Sequence, residues 1–258
     1  MLHQFSRTEL AIGPEGLNVM RNSCVAVLGV GGVGSIAAEA LARTGVGRII
    51  LIDKDVVDIT NINRQVHALL STVGQPKSDL MRDRIKEINP ECDAVSLRMF
   101  YTEETYEKLF EYPLDYVIDA SDTVSYKIHV IKQCLQRKIP IISSMGAANK
   151  MDPSKFQVGD ISKTTVDPLA RVIRHKLRKE GIKKGVKVVF STEEPIKPRA
   201  DVTQKIVPEN APDIRKAQQP PASNAFVPPV AGLIAVSVVV KDLLDKAAKA
   251  EKANTQQS

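Results

Sequence analysis

The chain has 258 residues, 43% of them hydrophobic and 26% charged, and carries a formal net charge of +6. That length buries a real core, as one large domain or one domain with an appendage, and the positive balance permits an anionic partner. The three cysteines, Cys24, Cys92 and Cys134, lie far apart with no C-x-x-C pair. This argues against a disulfide framework or a zinc knuckle, and for buried thiols in a reducing cytoplasm. No apolar run between Met1 and Arg21 suits a secretory signal.

In chain order, strands are expected at 24–29, 48–53, 93–98, 115–119 and 139–143, and helices at 33–43, 77–88, 103–110 and 124–137. Strands separated by helical patterns predict βαβ units, and so an α/β fold: a Rossmann-like, mostly parallel sheet with flanking helices. Right-handed crossovers then place the strand C-terminal ends along one rim, with Gly29, Asp53 and Asp119 on it. Beyond residue 150, two strands near 155–161 and 186–190 flank a basic helix at 168–180, a small antiparallel extension of the sheet. Residues 191–225 read as a long loop rich in proline and polar residues. Residues 230–244 form an apolar-faced helix, and 246–258 a frayed tail. The apolar run Val227 to Val240 is about fourteen residues, short of the roughly twenty a membrane span needs, so no stable membrane insertion is expected.

The chemistry gathers on that rim. Gly29, Gly31 and Gly34 fit the G-x-G-x-x-G pattern between a strand and a helix, Gly32 adds a fourth glycine, and Asp53 is the acid expected about twenty residues on. Glycines let the backbone approach phosphates, and the helix N-terminus offers free N–H groups. Alone, this pattern equally suits a dinucleotide-dependent oxidoreductase. Asp55, Asn61, Arg64 and Gln65 follow, then Lys77 just after Pro76, a favoured helix-opening residue. Asp119 and Asp122 close the fourth strand. Two fixed cations and a carboxylate suit a triphosphate better than a dinucleotide. Arg64 and Lys77 can neutralise charge that grows as pyrophosphate leaves, Asp53 can take ribose hydroxyls, and Asp122 can hold Mg2+ through ATP. Asp122 can also cap the helix beginning near Thr123.

Together these motifs resemble the adenylation core of the ubiquitin-activating-enzyme superfamily, the ThiF/MoeB/HesA type, over about 1–165 and 224–245. The resemblance implies ATP–Mg2+ binding by Gly31, Asp53, Asn61, Arg64, Lys77 and Asp122. Gln4-Phe-Ser-Arg7 also matches, and the resemblance implies that Arg7 reaches ATP across a homodimer. The zinc cysteine pairs common in that family are missing, and no cysteine follows Cys134 to supply a loop thiolate. Such a chain would stop at the acyl-adenylate or resolve it without protein sulfur. The stretches 188–198 and 225–233 resemble one subgroup, the tRNA threonylcarbamoyladenosine dehydratases, which use ATP to cyclise a modified anticodon-loop adenosine. The nearest alternative is adenylation of the C-terminus of a sulfur-carrier or ubiquitin-like protein. A sulfur-relay protein is a further expected partner.

An independent feature favours tRNA. Arg171, Arg174, Lys176, Arg178, Lys179, Lys183, Lys184 and Lys187 face a single acid, Glu180, in that stretch, and Arg171, Arg174 and Arg178 share a helical face. The resulting organisation is an ATP-binding core at 1–165, a substrate region at 166–225, a helix packed on the core at 226–246 and a disordered tail at 247–258. His67 and His129 are available as general bases, but nothing in the sequence separates them from structural histidines.

Overall fold

The computed structural model describes residues 2–207 and 220–255. One seven-stranded sheet runs through it: β1 (Cys24–Leu28), β2 (Arg48–Ile52), β3 (Asp93–Leu97), β4 (Tyr116–Asp119), β5 (Ile141–Ser144), β6 (Phe156–Asp160) and β7 (Lys187–Ser191). Their order is β3-β2-β1-β4-β5-β7-β6, parallel throughout except for the antiparallel β6–β7 pair. The expected antiparallel extension is thus the edge of the main sheet, because β7 pairs in parallel with β5.

The central strands are apolar without alternation because both sheet faces are covered. Side chains point to opposite faces by turns. Val25, Val27, Ile49, Leu51, Ile118, Ile142 and Val189 pack under α1 (Ser6–Arg21), α2 (Gly34–Thr44), α3 (Lys77–Ile88) and the C-terminal α8 (Val227–Thr255). Ala26, Leu28, Ile50, Ile52, Val117, Val188 and Phe190 pack under α4 (Glu107–Phe110), α5 (Val124–Gln136) and α6 (Pro168–Lys179).

Four elements differ from expectation. Helix α1 was not foreseen; it breaks at Gly13 (φ 74°) ahead of Pro14, which interrupts the apolar period. The helix expected at 103–110 shrinks to four residues, because the Thr105 hydroxyl donates to the Phe100 carbonyl and accepts from the Thr102 N–H, holding a turn there. A short helix, α7 (Ala200–Ile206), lies in the expected loop, of which 208–219 fall outside the described residues. Helix α8 runs on through residues expected to be a disordered tail, because lysines and alanines favour helix. At 29 residues it is long and apolar enough by composition to span a bilayer, yet Val227, Ala231, Ala235, Val239 and Leu243 are a core stripe.

Candidate nucleotide site

The chain order reverses between β1 and β4, which opens a crevice at their C-terminal ends. The turn from β1 into α2 lines it. Gly29 adopts φ +86°, its N–H donates to the Ile52 carbonyl at 2.9 Å, and a Cβ there would stand 2.9 Å from the Ala120 carbonyl oxygen. A Cβ on Gly34 would sit 1.8 Å from the Gly29 carbonyl oxygen. Both positions need glycine for close approach. Among the described residues no side chain caps the start of α2 at Val33; the Ser35 N–H closes on the Gly31 carbonyl at 2.9 Å, and a helix start without a side-chain cap is suited to an anion.

Asp53, just past β2, ties that turn to the next. Its carboxylate accepts from the Val30 N–H at 2.7 Å and the Asp55 N–H at 2.8 Å. Burial pushes the carboxyl up, while those two N–H groups and the Lys77 charge pull it back. Lys77 opens α3; its N–H donates to the Asp55 carbonyl at 3.0 Å, and its 7%-exposed side chain places Nζ 3.5 Å from the Asp55 carboxylate. Burial raises the Asp55 carboxyl, but its hydrogen bond from Lys54 and the charges of Lys77 and Lys54 outweigh that and hold it low. Asn61 closes a tight turn by accepting from the Asp58 N–H at 3.2 Å. Arg64 donates to the Thr60 carbonyl and to Asn63, both at 2.9 Å, while its stem lies over Gly32, 3.2 Å from where a Cβ would be. Gln65 sits above Gly31 with its buried Oε1 unpartnered among the described residues. The glycines, Asp53, Asp55, Asn61, Arg64, Gln65 and Lys77 therefore converge on one crevice, with cations, amide groups and a cradle that fit a nucleoside polyphosphate.

The turn after β4 packs directly behind the glycine turn, with Ala120 and Ser121 where a Cβ on Gly29 would fall. Asp122 is exposed there, and the Thr123 hydroxyl lies 3.3 Å from its carboxylate. It is not the cap of α5, whose capping position is Thr123 with no side-chain bond. Among the described residues no group of three or more His, Cys, Asp or Glu gathers to hold a metal. A single carboxylate beside phosphates is a donor set that Mg2+ accepts. The sequence reading missed Lys127, which is fully buried and reaches the Asp119 carboxylate at 2.9 Å. A signal existed: Lys127 occupies the apolar stripe that continues through Val130, Ile131 and Cys134.

Other expected residues lie elsewhere. Arg7 is exposed on α1 beside Phe5, which packs near Gly45 at the far end of α2. That end is eleven helical residues, about 16 Å, from the glycine turn. Within one chain Arg7 does not reach the crevice. Helix α6 begins at the rim, because Asp167 accepts from both the Ala170 N–H (2.9 Å) and the Gly146 N–H after β5 (3.1 Å). Arg171, Lys176, Arg178 and Lys179 are exposed along it, and Lys183 and Lys184 lie past its end. Arg174 departs from this stripe: it is half-buried and donates to the Thr164 carbonyl at 2.6 Å. Lys187 departs further. Strand alternation turns it to the α8 side, where it pairs with Asp242 at 2.6 Å.

The histidines and cysteines are equally specific. His67 is 4% exposed, neither ring nitrogen has a partner among the described residues, and burial followed by the charges of Lys77 and Arg84 holds it down to about 4. His129 joins an aromatic cluster, its Nδ1 3.1 Å from the Tyr101 hydroxyl. Burial pushes the thiols of Cys24 and Cys134 up to about 12 and that of Cys92 to about 11. None is a thiolate at neutral pH.

The sheet order and the glycine turn between β1 and α2 are those of a nucleotide-binding α/β protein. The chain belongs to the ThiF family, whose model matches residues 5–257. It is 70% identical over 244 residues to the tRNA threonylcarbamoyladenosine dehydratase of Bacillus subtilis, covering 95% of this chain and 96% of that one. It is 39% identical over 255 residues to the Escherichia coli protein of the same name, with 95% of each covered. Crystal structures of that E. coli dehydratase with ATP and with AMP superpose with a TM-score of 0.85 at 38% identity, over 95% of this chain and 96% of theirs.

Proposed function

We propose that this chain is an ATP-dependent tRNA threonylcarbamoyladenosine dehydratase. The observation that carries the reading is one rim: the glycine turn, Asp53, Arg64 and Lys77 surround a single crevice, in a chain aligned end to end with dehydratases. The carboxylate of the threonylcarbamoyl side chain attacks the α-phosphorus of ATP, pyrophosphate leaves, and an acyl-adenylate remains. The urea-like nitrogen of the same side chain then attacks the activated carbonyl and expels AMP. The net change is loss of one water and closure of a five-membered ring. Both reacting groups belong to one molecule, so positioning supplies much of the acceleration.

In this reading the glycine N–H groups and the start of α2 hold phosphate, Asp53 accepts from the ribose, and Asn61 and Gln65 fix the wall above Gly31. Lys77 and Arg64 offset charge developing on the departing pyrophosphate. Asp122 would hold Mg2+, which when bound neutralises phosphate charge. Arg7 lies at the far end of α2 and would act on the nucleotide of a second copy, which makes a homodimer the working assembly. The exposed cations of α6 would track the tRNA backbone. A cytoplasmic location suits its three unpaired, buried cysteines, and the buried stripe of α8 suits a chain without stable membrane insertion. A sulfur-relay partner rests on the family resemblance alone.

Adenylation of a sulfur-carrier protein shares the nucleotide half of the site, but its thiolate-using versions have no counterpart among three buried thiols. The test is mass spectrometry of threonylcarbamoyladenosine-bearing tRNA incubated with the protein and ATP. Lys77→Ala and Asp122→Ala should bind tRNA within about twofold of wild type yet lose about 100-fold or more in dehydration rate. Full activity in both variants defeats the site assignment. Pyrophosphate exchange that requires a Gly-Gly-ended protein defeats the substrate assignment.

A further inference from the structure

Behind the crevice wall lies a buried polar cluster that the mechanism above does not use. Asp119, at the end of β4, and Lys127, one turn into α5, are both completely inaccessible to solvent. Lys127 Nζ donates to the Asp119 carboxylate at 2.9 Å, to the Ser143 hydroxyl at 3.2 Å and to the Ser144 carbonyl at 2.7 Å. The Ser143 hydroxyl donates to the same Asp119 oxygen at 2.5 Å. The other Asp119 oxygen accepts from the Ser121 N–H at 3.1 Å and the Ser121 hydroxyl at 2.6 Å. A well-packed apolar pair would serve stability there at least as well as a buried ion pair. What the ion pair adds is direction. One of its oxygens holds α5 and β5, and the other holds the turn that leads to Asp122.

That turn is also the back wall of the glycine cradle. A Cβ on Gly29 would meet the Ala120 carbonyl at 2.9 Å and the Ser121 Cα at 3.0 Å, and one on Gly34 would meet Ala120 Cβ at 3.2 Å. A shift of this turn therefore moves both the glycine turn packed on it and the Asp122 carboxylate that ends it. We propose that Lys127 is a positioning residue for adenylation: through Asp119 it sets the 119–122 turn, and with it the placement of ATP–Mg2+ in the crevice. The inference rests on the proposed function for the identity of the reaction, but its nucleotide-binding part is read without tRNA.

Two variants test it, Lys127→Met and the double variant Asp119→Asn with Lys127→Met. They are compared with wild type by thermal unfolding, by calorimetric titration of ATP at varied Mg2+, and by kcat and KM for tRNA dehydration. The single variant leaves a buried carboxylate without its cation and should melt lower. The double variant removes both charges and should recover much of that loss. A purely structural pair predicts that activity returns with stability. A positioning pair predicts that it does not: kcat stays down by about 100-fold, the Mg2+ needed for half-maximal ATP binding rises, and the KM for tRNA stays within about twofold. A folded double variant with wild-type ATP binding and kcat overturns the proposal, and so does a double variant that cannot fold. Wild-type protein that binds ATP–Mg2+ but makes no dehydrated tRNA overturns the proposed function alone, since the titration still scores Lys127.

Discussion

His67 makes the protein's stability depend on pH in a calculable way. An unfolded imidazole takes up a proton near pH 6.5, whereas this one is held down to about 4, first by burial and then by the charges of Lys77 and Arg84. Between those values the unfolded chain binds the extra proton. Stability from this group is therefore complete above pH 6.5 and is lost as pH falls towards 4. Each pH unit is worth up to about 1.4 kcal/mol, so the loss reaches about 2 kcal/mol by pH 5 and about 3 kcal/mol near pH 4. Urea unfolding of wild type and His67→Gln at pH 7.5, 6 and 5 isolates it. Acids such as Asp53, raised by burial, and Asp55, lowered mainly by Lys54 and Lys77 against burial, are shared by both proteins and cancel in the difference. The wild type should lose about 2 kcal/mol more than the variant between pH 7.5 and 5. Parallel stability curves would refute the claim that this imidazole folds neutral beside two cations. The same reasoning removes His67 as a strong general base at neutral pH.

Gly34→Ala drives a methyl group into the Gly29 carbonyl, 1.8 Å from the new carbon. Overpacking of this kind costs about 1–3 kcal/mol or more. A melting temperature lower by at least about 3 °C, with weakened ATP binding in calorimetry, is the expected result; an unchanged melting curve contradicts the close approach. Arg171→Glu and Arg178→Glu should each weaken tRNA binding and flatten its salt dependence, by about 0.7–0.9 in slope for each phosphate no longer neutralised. Lys187→Met should leave that slope alone, because its charge is paired with Asp242 on the other sheet face, and fluorescence titrations from 50 to 200 mM salt separate the cases.

The elements legible in the sequence are those whose local pattern and tertiary role coincide. Helix α3 begins at the expected Lys77 because Pro76 cannot enter a helix interior and suits its threshold. Strand β1 is an unbroken apolar run because it is central and covered on both sides. The placement of the rim residues is legible for a related reason: glycines and charges just past buried strands fall at the strand ends, where hydrogen bonds such as that from the Val30 N–H to Asp53 join them. Legibility failed where a side chain's role depends on partners distant in sequence. Arg174 and Lys187 look like neighbours of Arg178 in composition, but Thr164 and Asp242 claim them. Lys127 was hidden because an apolar stripe containing one lysine reads as a helix with a solvated charge, until β4 and β5 bring Asp119 and Ser143 beneath it. The unforeseen α1 depends on Phe5, Leu17 and Met20 finding the core, a tertiary fact that its interrupted period conceals.

The polar ties at adjacent strand ends have a mechanical consequence. Asp119 fastens the end of β4 to α5 and β5, and Asp167 fastens Gly146, two residues past β5, to the first turn of α6. Both carboxylates are buried, and burial pushes the Asp167 carboxyl up, so each tie persists only because N–H groups or a lysine satisfy it. The two ties lie on consecutive members of one sheet. The nucleotide wall and the start of the basic helix are thus held at a separation set by strand spacing rather than by loops. In the proposed function, a tRNA backbone lying along α6 would meet the rim at the Arg171 end, where Asp167 ties the helix start to Gly146. Exposed cations can give affinity without sequence choice. If the proposed function holds, the rigid frame would also give them geometric work, since backbone contacts along α6 would decide where one modified base falls relative to the α-phosphorus.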